Sequence, residues 1–207
     1  MRQAGNTAAI VDALIPRSSA QVNILIDAAI IVGFAALTGL SAQIKVYLNP
    51  AVPITGQTFA VLLAGATLGS KRGGASMLVY LSAGIAGIPL FASGGAIPGI
   101  SRGYLLGFVA AAVIVGYLTE RGWSRNPFKL VAAMFIGEVA IYAFGLPWLA
   151  YYIPDGVLVD RARLAVMYDW GLKDFIVGDS IKLLLAASGV PLAWMGIRQL
   201  KGRDGGS

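Results

Sequence analysis

The sequence predicts an all-α integral membrane protein, with six transmembrane helices and an outward-facing ligand pocket. Three observations carry that expectation. The 207 residues are 57% apolar and only 13% charged, against about 45–50% and about 25% in soluble domains. Twenty-seven glycines stand among apolar neighbours, as they do in closely packed membrane helices. Apolar runs separated by Gly, Pro and charged turns recur six times, and about 20 helical residues cross a bilayer.

Residues 1–20 hold Arg2, Arg17 and a short apolar stretch from Ala8 to Ile15. That stretch is too short to span and lacks signal-peptide flanks, so it reads as a cytoplasmic arm suited to the membrane surface. The membrane domain is expected over 21–201 and a basic cytoplasmic tail over 202–207. The first span runs from Asn23 to Ser41. Pro50 and Pro53 then force a loop or broken helix, and the second span follows from Thr55 to Gly69. Ser70 to Gly73 reads as a tight basic turn before a third span, Gly74 to Ile88. The Gly/Pro-rich stretch from Pro89 leads to the fourth span, Gly103 to Thr119. A polar turn, Glu120 to Asn126, precedes the fifth, Phe128 to Pro147, with Trp148, Tyr151 and Tyr152 as an interfacial belt. Between Ile153 and Asp174, Leu158, Leu164, Met167 and Trp170 recur among charges, the pattern of a short amphipathic interfacial helix. The sixth span runs from Phe175 to Leu200.

Six spans place Arg2, Arg17, Lys71, Arg72, Arg121, Arg125, Lys129, Arg198, Lys201 and Arg203 on one side. Lys45, Arg102, Arg161, Arg163 and Lys173 fall on the other. The first side is therefore expected to be cytoplasmic, with both termini inside. The net charge of +6 is then a topology signal and not a nucleic-acid footprint. Cysteine and histidine are both absent, which excludes thiol catalysis, His-based zinc sites and Ser-His-Asp triads. No metal and no cofactor are expected.

The expected outward connections, Pro50–Gln57, Pro89–Gly103 and Ile153–Asp174, carry most of the irregular backbone. Such backbone survives at membrane depth where it is buried in protein or lines a cavity. Ionisable residues inside spans are the second clue: Asp27, Glu138, Asp179 and Lys182. Asp179 and Lys182 share a helical face at i, i+3. A neutralising ion pair and a ligand clamp, Lys182 for an anionic group and Asp179 for N–H donors, are equally open on physics alone. Glu138 shares a face with Tyr142, and Asp27 reads as structural. Small-residue spacings at Ala29/Gly33 and Ala35/Gly39 are compatible with docking to a second membrane subunit.

Five blocks in order carry a resemblance: Val52–Gly73, Tyr80–Gly95, Gly103–Phe108, Gly137–Leu149 and Gly178–Ala187. Together they resemble the BioY family, the biotin-binding S components of energy-coupling-factor (ECF) vitamin transporters, over about Ser41 to Ala187. The resemblance implies biotin uptake through a six-helix membrane subunit that binds its ligand at the outer side. It implies as partners a transmembrane coupling subunit and a pair of cytoplasmic ATPases, in a bacterial inner membrane. It assigns Asp179 and Lys182 to the ligand site, and it places the Val52–Thr58 and Phe91–Gly95 regions, with Gln57 and Ser93, around the ligand. Two stretches depart from the usual pattern, Gly99–Leu105, which contains Arg102, and Asp174-Phe175 where Pro-Phe is usual. The chemistry of biotin asks for a carboxylate or amide for ureido N–H groups, a cation for the tail and apolar walls. Asp179, Gln57, Lys182, Arg102 and Tyr142 are of those types.

Two other readings stand beside this one. One is an S component for a different vitamin. The other is an intramembrane enzyme, but the Gly-x-Ser-x-Gly spacing at Gly99–Gly103 has no histidine to serve it, and Ser180 and Lys182, two apart, face different sides of a helix.

Overall fold

The computed structural model describes residues 9–15, 18–49, 52–93, 99–153, 162–176, 178–185, 188–190 and 195. The elements are α1 (Ile10–Leu14), α2 (Ala20–Gln43), β1 (Lys45–Val46), β2 (Ile54–Thr55), α3 (Gln57–Leu68), α4 (Ser70–Ile85), α5 (Arg102–Glu120), α6 (Pro127–Tyr152) and α7 (Arg163–Tyr168). Short 3-10 turns precede α5 and α6, and a π turn, Asp169–Lys173, follows α7. Residues 174–176, 178–185 and 188–190 are helical and are called α8 below. Apart from one antiparallel pair, Lys45 against Thr55 and Val46 against Ile54, the regular structure is helical.

Among the described residues three helices are long and apolar enough to cross a bilayer: Ala20–Gln43, Gly99–Glu120 and Pro127–Tyr152. The second and third expected spans appear as α3 and α4, of 12 and 16 residues, and the end of the sixth lies outside the described residues. α5 sits centrally, packed on α3, α4 and α6. α2 buries only Ala35, Thr38, Gly39 and Ala42, and leaves Ile24, Leu25 and Leu40 about two-thirds exposed. An apolar surface of that extent belongs against lipid.

Three boundaries differ from the sequence reading. α4 begins at Ser70, so Lys71 and Arg72 lie in its first turn and not in a loop. Its cap comes from another helix, because the Glu120 carboxylate accepts the Ser70 N–H (2.7 Å) and hydroxyl (3.0 Å). That supplies an acceptor for an otherwise orphaned helix-end donor. The α3–α4 turn is then the single residue Gly69, whose φ of 83° and ψ of 179° suit glycine alone. α6 continues through Pro147 to Tyr152, a tolerated helix break in a membrane setting.

Within the N-terminal arm, α1 is packed into the protein. Ile10 and Val11 of α1 are buried, and Arg72 ties α1 and α2 to α4 through Asp12 (2.9 Å) and Asp27 (3.0 Å). The expected interfacial helix is similarly drawn inward. Val166 of α7 and Gly171 of the π turn are buried, with Met167 and Trp170 packed on the core; Leu158 lies outside the described residues.

Candidate functional site

A cavity of about 760 Å³, open mouth included, lies where the ends of α3, α5, α6 and α8 meet the connecting loops. On α5 the lining is Ser101, Tyr104, Leu105 and Phe108, the spacing of one helical face. On α8 it is Phe175, Asp179 and Lys182, again one face, extending about 10 Å along the axis at 1.5 Å per residue. The loops contribute Tyr47, Val52, Pro53 and Phe91 to Ser93.

The far end of the cavity is a compact polar cluster. Lys182 Nζ lies 2.8 Å from Asp179 Oδ1 and 3.2 Å from Thr58 Oγ1. The Thr58 hydroxyl donates to Asp179 Oδ1 at 3.0 Å, and the Tyr142 hydroxyl donates to Asp179 Oδ2. Asp179 is 4% exposed, so its charge is balanced by one ammonium and two hydroxyls, the pairing that a buried carboxylate demands. Alongside, Gln57 is held by Thr55 and Tyr80. Aromatic rings build the walls: Tyr104 stacks on Phe175 (6.3 Å), meets Tyr142 edge-on (6.4 Å) and donates to the Gly171 carbonyl (3.0 Å).

Local structure explains these placements. The Gly56 N–H reaches both the Ser41 and Ile44 carbonyls (3.1 and 3.0 Å), which pins the start of α3 to the end of α2. Gln57 and Thr58 therefore enter the site in the first turn of α3. The loops at the mouth are tethered by side chains: Gln43 and Lys45 donate to the Phe91 and Ala92 carbonyls. Asn49 donates to the Trp170 carbonyl (3.2 Å) and to Asp174 (3.1 Å).

Of the six residues singled out from the sequence, Asp179, Lys182, Gln57, Tyr142 and Ser93 line this one cavity. Arg102 does not. It is exposed at the start of α5, one position off the face that carries Ser101, Tyr104 and Leu105, and Ser101 holds the cavity edge instead. Asp179 and Lys182 are in contact and form one polar locus. Thr58 and Tyr104 were missed; threonine and tyrosine in an apolar run carry no signal until a distant helix supplies their partners.

Glu138 lies on the far side of this cluster. It is 5% exposed, and among the described residues neither carboxyl oxygen has a hydrogen-bond partner. With Tyr142 and Asp179 it borders a largely apolar crevice between α6 and α8.

Comparison with known proteins fits this architecture. A crystal structure of the S-component for biotin from an ECF-type ABC transporter superposes with a TM-score of 0.70, covering 84% of this chain and 93% of that one at 21% identity. The fold is shared. The chain is 37% identical over 157 residues to a probable biotin transporter BioY of Pyrococcus horikoshii, covering 74% of this chain and 86% of that protein. It is 36% identical over 158 residues to the biotin transporter BioY of Thermotoga maritima, covering 74% and 87%. A probable biotin transporter BioY of Lysinibacillus sphaericus is 43% identical over 119 residues, a match that spans 60% of that protein. The family model for BioY matches residues 15–199, and the chain belongs to the BioY family.

Proposed function

We propose that this chain is the biotin-binding membrane subunit, the S component, of an ECF-type transporter, and that the cavity ending on Asp179 and Lys182 is its biotin site. The observation that carries the reading is the pairing of one dense polar locus with aromatic walls in a single cavity. A carboxylate beside an ammonium is close to neutral overall. It suits a neutral donor–acceptor group better than a second carboxylate. In this reading Asp179 accepts ureido N–H groups, Lys182 donates to the ureido oxygen, and Gln57 and Tyr142 complete the ring contacts. The thiophane ring and aliphatic chain run along Tyr104, Phe108 and Phe175, and the ligand carboxylate points towards the loop mouth near Ser93.

The rest of the reading follows from membership. Six spans, both termini cytoplasmic and a pocket opening outward describe a subunit in a bacterial inner membrane, in contact with lipid. A transmembrane coupling subunit and a cytoplasmic ATPase pair drive it. No Gly-x-x-x-x-Gly-Lys-Ser/Thr loop occurs in the sequence, so the chain alone hydrolyses no ATP. It is a binding subunit and not an enzyme, with biotin as cargo and no cofactor. The test is to purify the protein in detergent, identify any retained small molecule by mass spectrometry, and titrate the emptied protein with labelled biotin. Saturable biotin binding is expected. Retention of a different vitamin, with no competition by biotin, would replace the ligand assignment.

A further inference from the structure

Gln57 lines the cavity, yet its side-chain amide is held from behind at both ends. The Thr55 hydroxyl lies 2.8 Å from Gln57 Oε1 and donates to it, since a carbonyl oxygen only accepts. Gln57 Nε2 donates to the Tyr80 hydroxyl at 2.6 Å. As placed, Oε1 faces Thr55 and Nε2 faces Tyr80, and both partners are hydroxyls, which can donate or accept. The Gln57 backbone N–H also donates to the Thr55 hydroxyl oxygen at 3.3 Å, which anchors Thr55 to the first turn of α3. Tyr80 comes from α4, is fully buried and is not part of the cavity lining. Its ring meets Phe91 edge-on at 5.4 Å, and Phe91 in turn closes the cavity wall.

An amide has two N–H donors and two acceptor lone pairs. With one of each engaged by Tyr80 and Thr55, one N–H and one lone pair remain. A cyclic urea carries an N–H and a C=O side by side, so it can meet both. A free glutamine would lose rotamer entropy on ordering, whereas the held one is ordered before the ligand arrives.

We propose that Tyr80 and Thr55 are positioning residues that hold the Gln57 amide in place in the cavity wall and so make the site selective for the oxygen of a cyclic urea. The inference rests on the biotin reading above and adds to it Tyr80, which lies outside the cavity lining, and Thr55, which lies within it. Discrimination of urea from thiourea is the property at stake, because sulfur is a weaker acceptor than oxygen for the remaining Gln57 N–H.

The experiment measures Kd for biotin and for 2-thiobiotin on the purified full chain, in the parent and in Tyr80→Phe, Thr55→Val and Thr55→Ser. The parent is expected to prefer biotin. Tyr80→Phe keeps the ring and its contact with Phe91 but loses the hydroxyl, and should reduce the biotin/2-thiobiotin preference by about 3- to 10-fold, the worth of one neutral hydrogen bond. Thr55→Val should act in the same direction, and Thr55→Ser, which keeps the hydroxyl, should restore the parent ratio. A merely structural role would weaken both ligands alike and leave the ratio untouched, and that result in Tyr80→Phe and Thr55→Val would overturn the inference while leaving the biotin assignment standing. A parent that binds neither ligand would overturn the biotin assignment, and this inference with it.

Discussion

The two ends of the helix bundle are built by different means. At one end the connections are minimal. α3 passes to α4 through Gly69 alone, and α5 passes to α6 through Arg121–Asn126, with Gly122 in the left-handed region and the Asn126 side chain capping α6. The cap on α4 is a carboxylate from α5. At the cavity end the chain between helices is long, and single side chains hold it: Gln43, Lys45 and Asn49 reach across to backbone carbonyls on other loops. The closed end is fixed by backbone geometry, which no one contact can release. The cavity end is fixed by separate hydrogen bonds of about 0.5–1.5 kcal/mol each. That is the construction a site needs if it must admit and release a ligand while its helices stay in place.

The largest expected effect tests the cavity end at its polar cluster. Asp179→Asn and Lys182→Met should each weaken biotin binding by about 10- to 150-fold, the range of hydrogen bonds to charged groups at 1.5–3 kcal/mol. In the proposed pose both residues face the ureido ring, so Lys182→Met should weaken biotin and a biotin amide by the same factor. A smaller loss for the amide would mean that Lys182 meets the ligand carboxylate and that biotin lies reversed. A folded Asp179→Asn/Lys182→Met double variant that binds like the parent would reduce the pair to a packing contact.

The closed end is tested by Gly69→Ala. At its φ and ψ only glycine is comfortable, and a new Cβ would sit 2.4 Å from a Glu120 carboxylate oxygen. Backbone strain of this kind costs about 1–3 kcal/mol, so the detergent melting temperature should fall clearly. Biotin affinity per folded molecule should not change. A Gly69→Ala protein that melts normally but binds poorly would show that the two ends are not independent.

Much of this contrast is legible in the sequence, but unevenly. The apolar runs mark α2, α5 and α6, because each is long and apolar. Asp179 and Lys182 stand out because charge inside a span is expensive. Gln57 and Ser93 come from the resemblance, and Tyr142 from its place one turn from Glu138. What is not legible depends on distance along the chain. Thr58 becomes a site residue only through Asp179, 121 positions away, and α4 starts at Ser70 only because Glu120, 50 positions away, caps it. The β1–β2 pair is two residues long on each strand, below any readable alternation. Arg102 shows the converse limit: its charge drew notice, but a shift of one position on a helix turns a side chain to another face.

Glu138 sits between the two ends and sharpens the boundary. With neither oxygen partnered among the described residues, it carries an unrecovered desolvation penalty of about 1–3 kcal/mol. Glu138→Leu should therefore raise the melting temperature. If the variant is more stable and binds biotin normally, the site ends at the Tyr142–Asp179 hydrogen bond. If it is more stable but binds biotin poorly, the site reaches through that bond into the crevice between α6 and α8.

The smallest effect concerns Asn49, the tether that joins the first connecting loop to the segment before α8. Its amide nitrogen donates to the Trp170 carbonyl and to Asp174, and its carbonyl oxygen accepts the Val52 N–H at 3.0 Å. Asn49→Ala removes all three while leaving the helices and the polar cluster untouched. Val52 and Pro53, just beyond, line the cavity, so a loosened loop uncovers the ligand more often without changing what the ligand touches once bound. Release of labelled biotin should speed up by about 3- to 10-fold, the worth of roughly one net hydrogen bond. Association should change little or rise, and the melting temperature should stay within a degree or two. Off-rates measured by chase with unlabelled biotin decide it. An unchanged off-rate with a large fall in melting temperature would mean that this loop is part of the rigid scaffold, and the difference between the two ends would then lie in their length and not in how they are held.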